Sequence, residues 1–171
     1  METEVESVQS SSGWKRLIED RLPLLGHRNW IVVADAAYPA QSNSGIETVA
    51  SGLSQQDTIE AVLALLRPCL HVHPLVHLDR ELTFVEEQDA PGIDDYRSWL
   101  KTALQEFTVD ATPHEEIIAR LDRAAQMFSV LIVKSTMLLP YTSVFLELDC
   151  GYWNAEAEGR LRAAMQREST R

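Results

Sequence analysis

The side chains best suited to move protons or hold a polar ligand fall in three separated stretches. In "LLGHRNWIVVADAAYPA", residues 24–40, the imidazole of His27 precedes a short apolar run and the carboxylate of Asp35 closes it. Histidine titrates near neutrality and serves as acid or base, and a carboxylate accepts hydrogen bonds from hydroxyl groups. In "TPHEE", His114 falls at the second position of a predicted helix, where the helix dipole favours a neutral imidazole that both donates and accepts. In "LLPYTSVF", Tyr141 and Ser143 lie in a turn between two predicted strands.

Each group has a plain structural alternative. Asp35 can be a turn residue that bonds nearby backbone N–H groups. "LGH" can be a helix stop, with Gly26 left-handed and His27 facing the negative helix end. His114 can be a solvated first-turn residue, and Tyr141 a packed loop anchor. In "HVHPLVH", His71, His73 and His77 would share one strand face. Pro74 is expected to break that run, and His77 would stand ~13 Å from His73, too far for one zinc ion. No metal is therefore expected. No glycine-rich phosphate loop and no G-x-S-x-G elbow occurs, so phosphoryl and hydride transfer have no support.

The elements that must position these groups alternate between strand and helix. "WIVVAD" is too short and too uniformly apolar for a surface helix and reads as a strand buried on both faces. "FSVLIVKS" and "VFLELD" read likewise as strands, "IETVASG" as a short one, and "HVHPLVHL" and "ELTFVEE" as strand candidates. "GWKRLIEDRLPLLGH" predicts a helix that ends near Pro23. "SQQDTIEAVLALLRP" predicts a helix capped by Ser54, with Asp57 three residues on and Ile59, Val62, Leu63 and Leu66 on one face. "GIDDYRSWLKTALQEF" predicts another. "TPHEEIIARLDRAAQ" predicts a fourth, with Thr112 and Glu115 as a capping box and Pro113 at the first helical position. The expected fold class is α/β: a three-layer single domain with a mostly parallel or mixed sheet between helices. In such sheets ligands bind beyond the carboxyl ends of strands, which is where Asp35 falls. The expected organisation is a flexible tail over 1–13, the α/β domain over 14–152 and an exposed helical extension over 153–171.

The 171 residues carry a net charge of −11, which disfavours nucleic acid, anionic membranes and phosphorylated metabolites. A neutral ligand fits more easily. Two isolated cysteines, Cys69 and Cys150, form neither a disulfide framework nor a metal motif. Free thiols, an acidic start unlike a signal peptide and no long apolar run point to the cytoplasm.

Two of these stretches together resemble the D-ribose pyranase / L-fucose mutarotase family. "LLGHRNWIVVADAAYPAQS" is similar to its N-terminal signature of Gly-His, apolar strand, Asp-Ala and Pro; "FSVLIVKSTMLLPYTSVFLELDCG" is similar to its final strand, Tyr-bearing turn, strand and Gly. The resemblance spans roughly 17–152. It implies a cofactor-independent isomerase that interconverts anomers or ring forms of a free, fucose- or ribose-like monosaccharide. It implies His27 as the acid/base group, and Asp35, Tyr141, Thr142 and Ser143 as sugar contacts. His114 resembles a further contact, with Arg120 as its competitor. The family's turn segment usually ends in Asn where this chain has Ser143, an exchange of two donors and an acceptor for one hydroxyl donor. A non-catalytic sugar-binding or transport-associated protein on the same fold is the alternative. His27 and Asp35 are eight residues apart, up to ~26 Å on an extended chain. The chain must fold back, or the pair must act across a subunit contact. The resemblance implies the second, a homo-oligomer with sites between subunits.

Overall fold

Trp30–Ala34 (β1) is buried at every position. No face of it reaches water because it lies in the middle of a six-stranded sheet with helices on both sides. The computed structural model describes residues 13–169. Of the expected 1–13 tail, all but Gly13 lies outside the described residues. The other strands are Ile46–Ala50 (β2), Val72–Asp79 (β3), Val109–Thr112 (β4), Val130–Lys134 (β5) and Val144–Cys150 (β6), in the spatial order β2-β5-β1-β6-β3-β4. β2 and β1 flank β5 in parallel, and β3 pairs with β4 in parallel. β6 runs antiparallel to both β1 and β3. Five strands thus point one way and β6 alone points back, which makes the sheet mixed.

Helices occupy the two faces. Residues 13–21 (α1), Gln55–Leu66 (α2) and Ile93–Ala103 (α3) cover one side. There Trp14, Ile18, Ile59, Leu63 and Tyr96 pack with Ile31 and Val33 of β1. His114–Ala125 (α4) covers the other, setting Ile117, Leu121 and Ala125, one helical stripe, against Trp30, Val32 and Phe145. The alternation along β1 feeds both cores, as a strand's period of two requires. Ala155–Ser169 (α5) follows the sheet, and its described side chains are mostly exposed. At Gly45, an added Cβ would lie 2.0 Å from the carbonyl oxygen of Ala125, so only glycine lets the end of α4 meet the start of β2.

Several local expectations hold. α2 is capped by Ser54, whose hydroxyl accepts from the backbone of Asp57. The first helix stops at a short 3-10 turn, Leu22–Leu24, around Pro23. Others fail for identifiable reasons. "ELTFVEE" is no strand: Arg80–Phe84 is a 3-10 turn. The Arg97 guanidinium takes the carbonyls of Leu82 and Val85, at 2.8 and 2.7 Å, so these groups are bonded without a ladder. The Thr112–Glu115 capping box does not form. Thr112 ends β4 and its hydroxyl donates to Asp110, while α4 starts at His114 behind Pro113. Pro74 does not break β3. It pairs with Leu148 of β6, and β4 joins the other side of β3 only from Val76 onward. The missing N–H therefore falls on an unpaired edge, where proline is tolerated. Gly26 is not left-handed; Arg28 is, with φ 74°.

The single reversed strand has a consequence for the site. β5 and β6 lie on opposite sides of β1. Residues 135–143 must therefore cross the carboxyl end of β1 before β6 descends. That crossing is anchored from below by a buried amide. The Gln55 Nε2 donates to the carbonyls of Val33 and Thr142, at 3.2 and 2.7 Å, and its Oε1 accepts from Ser135. The Tyr96 hydroxyl donates to the same Thr142 carbonyl at 2.7 Å. Replacing Gln55 by Leu leaves the carbonyl of Val33 and the hydroxyl of Ser135 short of a buried partner. We expect Gln55→Leu to lower unfolding free energy by about 1–3 kcal/mol in urea titrations. An unchanged midpoint and slope would show that the crossing loop is held some other way.

Candidate functional site

The carboxyl edge of the sheet gathers side chains from four segments. β1 runs into Asp35. The carboxylate of Asp35 accepts from the backbone N–H of Ala37 at 2.8 Å and from the Ser143 hydroxyl at 3.3 Å. The structural alternative for Asp35, a local turn bond, is thus present together with its place in a site. β3 ends in Asp79, directly opposite Thr112 in the parallel register with β4. Two residues beyond Thr112, His114 opens α4, and its Nδ1 lies 2.9 Å from Asp79 Oδ1. The crossing loop brings Tyr141 edge-on to the His114 ring, with centroids 5.7 Å apart. Tyr141 holds φ at 56°, a left-handed conformation unusual outside glycine and asparagine.

These residues line one cavity of about 430 Å³, with Tyr38, Gln41 and Glu115 also on its wall. The volume lies within the ~300–1,000 Å³ typical of small-molecule sites. Its charge is one-sided. Asp35, Asp79 and Glu115 face it, and among the described residues no Lys or Arg does. Such a wall repels phosphate and carboxylate groups and offers acceptors to a ligand rich in hydroxyl donors. Burial pushes the Tyr38 hydroxyl up to about 12, with further upward pressure from Asp122, Asp79 and Asp35, so this phenol stays a neutral donor. Burial also raises the Asp79 carboxyl, and nearby Glu81 and Asp35 add to that, while the hydrogen bond and charge of His114 oppose it.

The sequence-expected residues divide into those the cavity collects and those it does not. Asp35, His114, Tyr141 and Ser143 come together. Thr142 is fully buried, its hydroxyl donating to the carbonyl of Leu139, and does not line the cavity. Arg120 pairs with Glu116 one helical turn back and also stays outside. His27 lies at the far end of β1, in a turn closed by the Asn29 N–H to the Gly26 carbonyl. Its Nδ1 is 2.8 Å from Asp149 and its side chain is 57% exposed. His71 leaves the strand and bonds the Leu22 carbonyl, while His77 packs between Trp30 and Glu147. No group of histidine, cysteine and carboxylate residues among those described is arranged to hold a metal ion. The sequence reading missed Asp79. The signal was available: an aspartate closes the "HVHPLVHL" run just as Asp35 closes "WIVV".

All four cavity segments fall within residues 16–150, the part of the sequence that matches the RbsD / FucU transport protein family. The chain belongs to that family. Among solved structures, it is similar to Bacillus subtilis RbsD complexed with D-ribose, at 20% identity over 77% of this chain and 90% of that one, with a TM-score of 0.54. It is also similar to FucU from Bifidobacterium longum, at 17% identity over 78% and 94% of the two chains, with a TM-score of 0.53. No curated protein matches the sequence. The two structural likenesses establish a shared fold. Within this RbsD / FucU chain, α5 lies beyond the matched stretch. No helix among the described residues is long and apolar enough to cross a membrane.

The left-handed backbone of Tyr141 gives a direct check on the loop geometry. Glycine adopts that φ freely, whereas alanine carries the Cβ penalty. Tyr141→Gly should unfold at higher urea than Tyr141→Ala, by about 1 kcal/mol. Equal stability of the two variants would mean that the loop is not held left-handed at this residue.

Proposed function

We propose that this protein is a cofactor-independent isomerase that interconverts the anomers or ring forms of a free monosaccharide of ribose or fucose type. The observation that carries this reading is the cavity at the carboxyl edge, rich in carboxylate acceptors, with one imidazole and no Lys or Arg among the described residues that line it. A neutral polyol suits such a wall and a sugar phosphate does not. The Bacillus subtilis relative, named as RbsD complexed with D-ribose, supports the choice of ligand class.

Opening a hemiacetal moves two protons. The anomeric hydroxyl loses one, the bond from the anomeric carbon to the ring oxygen breaks, and the ring oxygen gains one. No redox change occurs. A positioned acid/base group contributes about 10²–10⁴-fold to such a transfer. In this reading His27 is that group, Asp35 accepts sugar hydroxyls, and Tyr141 and Ser143 bound the ring. Thr142 serves as the anchor of the turn and Arg120 has no part. His27 and Asp35 stand at opposite ends of β1, so His27 reaches a sugar only from a neighbouring copy of the chain. The sheet face beside His27 fits such a contact, since it carries His73, Glu147 and Asp149 at least partly exposed to solvent. The active form is then a homo-oligomer with sites at subunit contacts. The free thiols of Cys69 and Cys150 suit a cytoplasmic location.

Exchange NMR on a panel of unphosphorylated sugars tests the reading. The protein should speed anomer exchange. His27→Ala should abolish that while sugar still binds. Asp35→Asn should weaken binding by about 1.5–3 kcal/mol for each charge-assisted bond lost. Mixed oligomers of the two variants should regain part of the activity, because some contacts then pair an intact His27 with an intact Asp35. Saturable binding without faster exchange would favour the non-catalytic binder. Full activity in His27→Ala, or in a monomer, would remove the shared site.

A further inference from the structure

Asp79 and His114 form a pair with no part in the proton transfers of the reading above, which takes His114 at most as a sugar contact. The Asp79 side chain is 1% exposed and the His114 side chain 31% exposed. One carboxylate oxygen, Oδ1, meets Nδ1 of His114 at 2.9 Å. The other, Oδ2, is buried with no hydrogen-bond partner among the described residues. An unsatisfied buried acceptor destabilises a fold, and folds keep such departures chiefly where function needs them. The main-chain N–H of His114 is fixed as well, by both oxygens of Glu81 at 3.1 and 3.0 Å. Ring and backbone are therefore held separately. Among the described residues nothing bonds the remaining ring nitrogen, Nε2, while His114 itself lines the cavity.

We propose that Asp79 is a positioning residue that holds His114 as a second proton-transfer group of this cavity. The proposal rests on the isomerase reading of the same site. With its carboxylate ionised, Asp79 only accepts; Nδ1 then carries the proton and Nε2 presents its lone pair. The charged groups facing the pair are Asp35 beyond β1, Glu81 beyond β3 and Glu115 on α4. All are acidic. Tyr38 and Tyr141 add aromatic rings.

With two imidazoles the reaction balances without a co-reactant. His114 Nε2 takes the proton of the anomeric hydroxyl, whose oxygen becomes a carbonyl. The electrons of the carbon–ring oxygen bond pass to the ring oxygen, which takes a proton from a protonated His27 of a neighbouring copy. Closure on either face of the carbonyl returns both protons to their starting places.

The test combines nitrogen-15 NMR of the histidine rings with exchange kinetics on the full-length oligomer, using D-ribose and L-fucose. In the wild type, His114 should be protonated at Nδ1 and bare at Nε2. In Asp79→Asn the amide can donate to Nδ1 instead. The tautomer should then switch, and the rate at saturating sugar should fall on the order of 10²-fold with KM little changed. His114→Gln should lose as much, and the double variant no more than either, since the two residues act as one unit. Thermal melts establish that the variants are folded; if Asp79→Asn is not, the wild-type tautomer and His114→Gln still decide. The proposal is overturned by a wild-type Nε2–H tautomer, by full rate in His114→Gln, or by an Asp79→Asn effect confined to KM. A wild type that binds sugar and speeds no exchange would instead sink the isomerase reading, and the tautomer would still report whether Asp79 holds His114.

Discussion

The buried amide of Gln55 is the contact on which the carboxyl edge of this sheet depends. It sits in α2, yet its partners belong to β1, to the residue after β5 and to the turn before β6. A single planar group thus fixes three chain segments relative to each other. With Tyr96 it leaves the Thr142 carbonyl doubly bonded. The two neighbours of Thr142 are set by that pin: Tyr141 on one side bends into a left-handed conformation toward His114, and Ser143 on the other bonds Asp35. In a low-dielectric interior such a fully satisfied network is rigid, because every alternative arrangement leaves a polar group unpaired.

The topology explains why acidic groups converge there. Parallel strands bring their carboxyl ends to one edge, and two of them close on aspartate. The reversal of β6 then sends the loop from β5 across the top of β1, which supplies the far wall. The chain's overall negative charge is repeated locally, and no Lys or Arg among the described residues lines the cavity to offset it. That local sign selects against anionic ligands more strongly than the net charge does, since the wall is partly desolvated and screening is weak there.

The sequence made the scaffold readable wherever periodicity was strong. The buried runs of β1 and β5, the capped α2 and the stripe of α4 needed no tertiary information. β4 escaped notice because four residues with one buried side chain carry no pattern above noise. The 81–87 stretch read as a strand because its residue types suit one, and only the long-range bonds of Arg97 decide otherwise. For the site, Asp35, His114, Tyr141 and Ser143 were reachable through motif and resemblance. The inward turn of Thr142 was not, because it depends on what lies beneath it. Asp79 was hidden by its neighbours: three histidines in "HVHPLVHLD" drew the chemistry away from the aspartate that ends the strand.

The proposed chemistry and the described geometry meet in one requirement, that the cavity accept a neutral polyol and turn it over. The most direct measurement is exchange NMR of D-ribose anomers with sub-stoichiometric protein, repeated with the 5-phosphate added as competitor. The account predicts faster anomer exchange that the phosphate leaves untouched, since among the described residues no Lys or Arg lines the wall. Inhibition by the phosphate at concentrations near those of the sugar, or sugar binding with no gain in exchange rate, would contradict it.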